Sequence, residues 1–490
     1  MKIFTNEQIK EADRYTVENE PVASIDLMER ASDAIAGWIS ENIDKQIPLL
    51  FIVGKGNNGG DGLAVARILK QKGFECSIYL AYGKNFPNEE CRINLERLPA
   101  GIPFIENLNE IDKHTVIVDA LLGTGISGNV KEPAANIISQ VNSLTNKVIS
   151  IDLPSGMSTE PPTLPCSPQI IKACVTLTLQ FPKLAMMSPE TGEYAGTIIT
   201  LPIGLSKTYL EQTESPYHYI DETLIESLKK RRSKFGYKNI YGHALLVCGS
   251  KNMIGAAILA TGAALRSGCG LVSVHIPYDE RVALQTKFPS AILSFDKSGY
   301  FSEIPDEICK YNAIGTGCGL GTHPETMKTF ETLLKSVKIP MVIDADALNL
   351  LSMNKELLKH IPENSILTPH LGELKRLVGE WNSEENKNRK ITNLSSETKS
   401  IIVVKGAHTA ICLPDGEIYF NSTGNSGMAK GGSGDVLTGL ITGLLARGYN
   451  SFEASVLGVY FHGLAGDKAC EKYGCESMNS LDLIEFLSAN

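Results

Sequence analysis

The segment from Val53 to Leu69, VGKGNNGGDGLAVARIL, follows an apolar run that begins at Leu49 and leads into residues with helical spacing. A short buried strand, a glycine turn and a helix in that order open a doubly wound parallel α/β sheet. Gly54, Gly56 and Gly59 satisfy GxGxxG, and Glu75 stands at the distance of a ribose contact, which alone suggests a dehydrogenase. A bare dinucleotide fingerprint, however, has no need of the polar Asn57, Asn58 and Asp61 within its turn. Two more apolar runs end in carboxylates: VDALLGTGISGN sets Asp119 before a glycine loop, and SIDLPSG sets Asp152 just ahead of Ser155. Doubly wound sheets keep their sites at such strand ends. Asn58, Asp119 and Ser155 are hard oxygen ligands, suited to an alkali or alkaline-earth cation rather than to zinc. Singly, each is also an ordinary turn former or helix cap; together they favour a site.

A second strand, glycine turn and helix opens at Ala244 to Val247, so the 490 residues read as two βα-rich domains, 1–215 and 216–490. The intervening passage, Ser206 to Asn239, is polar and charged, and only the residues around Leu224 suggest a buried strand. Its basic run from Lys229 to Arg232 reads as a solvated linker face, not a nucleic-acid patch. Asn382 to Lys399 reads as helix and loop. A hydrophobic fraction of 43%, a charged fraction of 21% and a net charge of −9 describe a globular protein with no surface for duplex nucleic acid. No apolar run has the length of a membrane span and the first residues lack a signal-peptide core, so the expected compartment is the cytoplasm, with no membrane partner. The eleven cysteines include no CxxC and the nine histidines no HExxH, so buried free thiols are expected and zinc is not.

Asn425 to Gly439, NSGMAKGGSGDVLTG, carries the second concentration of chemistry. Val436 to Leu445 has helical apolar spacing, so Gly431, Gly432 and Gly434 form a turn whose free amides face an incoming anion at a helix N-terminus. Asp435 then stands beside that anion, where a carboxylate takes a proton from an attacking hydroxyl while the amides hold a phosphoryl group. The competing reading is an aspartate that only favours the first helical turn.

These strings resemble a known pair of domains. GNNGGDG, DALLGTG and DLPSG, with LMERAS at Leu27 to Ser32, are similar to the NAD(P)H-hydrate epimerase domain. GSKNMIGAAILATGAALRSGCGLVSVHIP from Gly249, DADALN from Asp344, TPHLGE from Thr368, KGAHT from Lys405 and the Asn425 to Gly439 loop resemble the ADP-dependent NAD(P)H-hydrate dehydratase domain of the ribokinase-like superfamily. The resemblance runs nearly end to end. It implies an N-terminal Rossmann-like sheet, a C-terminal ribokinase-like α/β domain, and hydrated NADH or NADPH as substrate.

The resemblance also implies roles. Asn57, Asn58, Gly59, Gly60 and Asp61, with the loop of Gly123, Thr124, Gly125, Ile126, Ser127, Gly128 and Asn129, would hold the dinucleotide, and Asn58, Asp119 and Ser155 would surround K+. Asp152 would contact the altered ring as the proton-transfer group. Lys183 is a weaker candidate, for which a surface salt bridge is the default reading. In the second domain Asp435 would be the catalytic base, and Gly317 and His370 would touch the hydrated nucleotide. Lys405, Gly406, Ala407, His408 and Thr409, with Lys430, Gly431, Gly432, Ser433 and Gly434, would bind ADP with Mg2+. A homo-oligomer is the expected assembly. Some positions depart from the family pattern: GTGCG at Gly315 to Gly319 puts Thr316 where proline is usual, and YKNIYG puts Tyr237 and Asn239 where histidine and glycine are usual. Lys430 and Ser433 replace smaller or threonine residues. A small-molecule kinase and a non-catalytic scaffold are the competing functions. If Asn58, Asp119 and Ser155 ligate K+, Asp119→Ala should slow epimerisation without unfolding the chain and leave dehydration of the S hydrate intact.

Overall fold

The computed structural model describes residues 1–84, 87–125, 128–161 and 169–487. The chain divides into two compact units, one formed by Lys2–Tyr217 and the other by His218–Trp381 with Glu385–Asn490.

The first unit is built on a seven-stranded sheet in the order β3-β2-β1-β4-β5-β6-β7. Its strands are β1 (Leu49–Val53), β2 (Cys76–Leu80), β3 (Phe104–Ile105), β4 (Val116–Ala120), β5 (Val148–Ile151), β6 (Val175–Leu179) and β7 (Thr197–Leu201). All neighbouring pairs are parallel. β1 and β4 are buried throughout because helices cover both faces, which is why they read as unbroken apolar runs. The strand order reverses direction between β1 and β4, and a doubly wound sheet opens its binding crevice there. Helix Asn57–Gln71 starts at that switch point. A Cβ on Gly54 would lie 1.7 Å from the Leu121 carbonyl oxygen, and one on Gly62 would lie 2.5 Å from Ala120 Cβ, so small residues let this helix and its turn settle on the sheet.

The second unit holds a ten-stranded sheet in the order β11-β10-β9-β12-β13-β14-β15-β16-β17-β8. Here β8 is Tyr217–Tyr219, β9 His243–Val247, β10 Leu271–Pro277, β11 Ile292–Asp296 and β12 Ala313–Thr316. The rest are β13 (Met341–Ile343), β14 (Ile366–Leu367), β15 (Ile401–Val404), β16 (Ala410–Cys412) and β17 (Ile418–Phe420). Strands from β11 to β15 are parallel, whereas β15, β16 and β17 form antiparallel hairpins. The strand expected near Leu224 is instead helix Glu222–Leu228, capped by Asp221, and the strand of that passage is β8. The core gathers around helix Ser433–Ala446, which is buried from Val436 to Ala446. A Cβ on Gly439 would stand 2.0 Å from the Ala260 carbonyl oxygen, so this helix packs backbone to backbone against helix Ile254–Arg266.

One cysteine expectation fails. Among the described residues, Cys470 and Cys475 form a disulfide, and eight other cysteines, three of them partly or fully exposed, are free thiols. Among the described residues, no helix is long and apolar enough to cross a membrane.

Each unit has its own sheet and its own buried clusters. Residues 1–215 and 216–490, a cut that leaves β8 whole, are therefore expected to fold separately, each with a single cooperative melt. Two insoluble or molten fragments would contradict that independence.

Candidate functional sites

In the first unit, loops from the carboxyl ends of β1, β4 and β5 lie side by side. Asp119 is fully buried and accepts hydrogen bonds from Ser155 N (2.8 Å), Ser155 Oγ (2.5 Å), Ser150 Oγ (2.8 Å) and Leu121 N (3.2 Å). Burial raises its pKa, and those hydrogen bonds oppose the rise. Asn58 Nδ2 donates to the Leu122 carbonyl at 2.8 Å, and Leu122 N donates to Ser155 Oγ at 2.8 Å. The structure thus brings Asn58, Asp119 and Ser155 together around the backbone of Leu121 and Leu122. Among the described residues, Asn58 Oδ1 is buried without a hydrogen-bond partner. An orphaned amide oxygen beside a carboxylate and a hydroxyl fits a hard monovalent cation.

Asp152 adopts a positive φ of 65°, accepts the Leu179 amide at 3.0 Å and is ion-paired with Lys183. Lys183 is not on the surface as expected: it is 1% exposed, and its ammonium also donates to Thr178 Oγ1 at 3.0 Å and to the Phe181 carbonyl at 3.3 Å. A lysine is buried this deeply only where partners replace its water. Two more carboxylates interact with Asp152. Burial, reinforced by Asp152 and Asp13, pushes Asp61 well above the carboxylate range. Asp13, on helix Asn6–Asn19, is reached by solvent but ringed by protein. Its pKa rises to about 6 through desolvation and Asp152, with Lys183 opposing. Sequence reading missed Asp13, which carries no motif.

Around this cluster, Asn57 Oδ1 accepts from Asn88 Nδ2 at 2.7 Å, and Gly59 and Gly60 allow contact with Gly54 and Met28. Gly123 lies against Asn58, Thr124 and Gly125 form a turn, and Gly128 adopts a positive φ ahead of Asn129. Ile126 and Ser127 lie outside the described residues. Glu75 precedes β2, at the sheet edge opposite the crevice, and so cannot serve as the ribose carboxylate, which a dinucleotide fold places after that strand.

In the second unit the same edge rule assembles the site. β12 ends at Thr316, Asp344 and Lys405 directly follow β13 and β15, and helix Ser433–Ala446 begins beside them. Lys405 Nζ donates to Asp344 Oδ1 at 2.7 Å and lies 3.9 Å from Glu373 Oε2. Burial alone would lower the lysine pKa, but Asp344 and Glu373 more than offset it, so the amine stays charged. Thr438 Oγ1 donates to Asp344 Oδ2 at 2.8 Å. A Cβ on Gly434 would sit 3.3 Å from Lys405 Nζ, which puts the glycine loop directly at this cation. Asp435, one residue on, has its pKa pushed up to about 6 by burial, with Cys318 donating a hydrogen bond against the rise and Asp344 adding to it. Gly317 has φ 114° and packs on the Asp344 carbonyl, where a Cβ would lie 1.8 Å away.

Other expected residues are already engaged. His370 caps helix Leu371–Val378, its Nδ1 accepting from Gly372 N at 3.0 Å, while the ring stays 54% exposed. His408 is half-buried, with Nδ1 3.0 Å from the Asn421 carbonyl. Gly406, Ala407 and Thr409 complete the turn between β15 and β16, closed by a 3.1 Å hydrogen bond from Thr409 Oγ1 to the Gly406 carbonyl. Ser433 Oγ is 3.3 Å from His462 Nε2. Lys430 turns away from the site, its ammonium donating to the carbonyls of Cys475, Glu476 and Met478. Gly431 is open, and Gly432, at φ 91°, starts the helix. The Thr316 hydroxyl is buried and unpartnered, while Tyr237 is 62% exposed. Asp344, Thr438 and Cys318 were not singled out from sequence. Asp344 carried the one usable signal, a carboxylate at a strand end.

Fold and loops together define a Rossmann-like unit joined to a ribokinase-like one. A ribokinase-like superfamily protein of Enterococcus faecalis V583 superposes on the second part with a TM-score of 0.50 at 27% identity, covering 56% of this chain and 95% of that one. The family model described as NAD(P)H-hydrate dehydratase matches residues 244–489, and that described as YjeF-related protein N-terminus matches 24–185. The chain is 32% identical to the bifunctional NAD(P)H-hydrate repair enzyme of Moorella thermoacetica, over 99% of this chain and 96% of that protein. It is 31% identical to the enzyme of the same name from Coxiella burnetii, over 99% and 98%. The chain belongs to the family of bifunctional NAD(P)H-hydrate repair enzymes.

The hydrogen bonds of Asp119 change what its removal does. Asp119→Ala strands buried donors of Ser150, Ser155 and Leu121 and is expected to destabilise the first unit by about 2–4 kcal/mol, read in a urea titration, with Asp119→Asn milder. An unchanged midpoint would show that these bonds carry no net stability.

Proposed function

We propose that the chain repairs hydrated NADH and NADPH in two steps, epimerising the R and S hydrates in the first unit and dehydrating the S hydrate with ADP in the second. Asp435 carries this reading: a half-buried carboxylate with its pKa pushed up to about 6, at a helix N-terminus beside the partly buried Lys405. Asp435 takes the proton of the ring hydroxyl as that oxygen attacks the terminal phosphorus of ADP, and AMP departs. The amides of Gly432 to Gly434 and the Lys405 ammonium stabilise the phosphoryl in transit. Phosphate then leaves the ring carbon with its bonding pair, a proton leaves the adjacent carbon, and the double bond returns. Hydroxide is a poor leaving group and phosphate a good one, which explains a kinase-like fold in a dehydratase. Mg2+ would enter with ADP and offset its phosphate charge.

In the first unit, Asp152 with its partner Lys183 is the proton-transfer pair, and Asn57 to Asp61 with the Gly123 to Asn129 loop hold the dinucleotide. Asn58, Asp119 and Ser155 would hold K+, whose fixed charge would anchor the loops around the substrate. We place the protein in the cytoplasm, where reduced nicotinamide nucleotides turn over, and expect a homo-oligomer. Exposed Ile292 and Phe295 on edge strand β11 favour self-association. A stable phosphorylated product would instead favour the kinase alternative.

The test is incubation of separated hydrate epimers with ADP, following the return of reduced-nicotinamide absorbance. Asp435→Asn should lower single-turnover dehydration roughly 10²- to 10⁴-fold while ADP affinity holds, whereas a mere helix cap predicts near-normal turnover. Because the base must be ionised, wild-type turnover should fall as pH drops below about 6. A flat profile through that range would remove Asp435 from the role. Separately, Asn58→Ala should weaken potassium activation of epimerisation roughly 10-fold and leave dehydration intact. Unaltered potassium dependence would exclude this site.

A further inference from the structure

Lys430 stands immediately before Gly431 and Gly432, the first glycines of the phosphoryl loop. Its ammonium has three protons and meets three carbonyl oxygens, those of Cys475 (3.5 Å), Glu476 (2.6 Å) and Met478 (2.6 Å). The turn that supplies them follows helix Ser451–Tyr473, whose carbonyl end attracts a cation. That turn is itself constrained: Gly474 reverses the chain at φ 81°, Ser477 N and Met478 N both donate to the Gly474 carbonyl at 3.1 Å, and Cys470 is bonded to Cys475 across it. The loop meets the same turn at two more points. Ser480 Oγ donates to the Gly431 carbonyl at 2.7 Å, and a Cβ on Gly427 would lie 2.6 Å from the Cys475 carbonyl oxygen. The glycine loop is therefore moulded on residues 474–480, and Lys430 supplies its charged contact.

We propose that Lys430 is a positioning residue for the dehydration step, tying the glycine loop to the turn closed by Cys470 and Cys475, and that opening this disulfide loosens the tie. The proposal rests on the ADP-dependent reading above. The cation does not reach the nucleotide; it fixes the amides that do. A disulfide in a cytoplasmic enzyme is unusual and is open to thiol chemistry. A dithiol reductant converts it to two thiols and is itself oxidised to a cyclic disulfide, giving nucleotide affinity a dependence on redox state.

The experiment uses the full chain with ADP and the S hydrate. Wild type, Lys430→Met, the paired Cys470→Ser/Cys475→Ser variant and their combination are compared, and epimerisation and melting serve as folding controls. Lys430→Gln is the substitute should Lys430→Met fail to fold. Lys430→Met should raise KM for ADP roughly 5- to 10-fold with kcat within about 2-fold, the scale of an exposed charged hydrogen-bond set. The cysteine variant should shift KM in the same direction, and the combination should be no worse than Lys430→Met, because both act through one contact. Amide exchange across 429–434 should accelerate in every variant. An unchanged KM in Lys430→Met, or additive effects in the combination, would overturn the proposal. So would a raised KM with unaltered loop exchange, which would mean that Lys430 touches ADP directly. If wild type does not consume ADP, the functional reading fails instead, and the exchange comparison alone decides whether Lys430 holds the loop.

Discussion

Parallel strands joined by helical crossovers must deliver every strand-to-helix turn to the same edge of a sheet. Both units obey that constraint, and everything chemical in the chain hangs on it. Asn58, Asp119, Asp152 and Ser155 come from three turns, yet they share one crevice because β1, β4 and β5 are parallel neighbours. Asp344 and Lys405 are 61 residues apart and still meet at 2.7 Å, because β13 and β15 finish at the same edge.

Burial then divides the acids by what surrounds them. Asp119 gives its oxygens to hydrogen bonds and so holds together the loops around it. Asp344 is occupied by Lys405 and Thr438. At Asp435 burial outweighs the opposing pull of Lys405 and pushes the pKa up to about 6, a value suited to proton exchange. The first unit shows the same division, with Asp152 tied to Lys183 and Asp61 carried upward by its surroundings.

Much of the fold was legible because apolar strands ran directly into glycine turns. Leu49–Val53 and the helix after Asn57 are as the pattern implies, and the helix before Gly448 begins within the glycine loop. Asn58, Asp119 and Ser155 stood out as polar residues beside strand ends and glycine turns, and the structure brings them together. What could not be read was long-range partnership. Lys183 looked like a surface residue because lysine usually is one, and only the return of the chain beside Asp152 explains its burial. Thr438 and Asp344 are separated by 94 residues, a distance to which no periodicity applies. Glu75 matched a spacing but fell at the wrong end of its strand. Cys470 and Cys475 followed no recognised spacing, since a glycine reversal, not a motif, brings them together.

The close seat of helix Ser433–Ala446 affects how natural variation in this chain should be interpreted. Gly439 lies against the Ala260 carbonyl, and Gly443 would bring a Cβ within 2.1 Å of Ser267 Oγ. Both glycines lie inside the helix, past the turn of Gly431 to Gly434. Any side chain there nevertheless forces the helix to shift, and Asp435 and Thr438, which ride on it, move with it. A missense change at either glycine would present in a metabolic screen as a lost active-site residue although the lesion is one of fit. Inheritance patterns that implicate these glycines therefore carry information about packing, and a genetic map of the reaction would extend two helical turns beyond the residues that perform it.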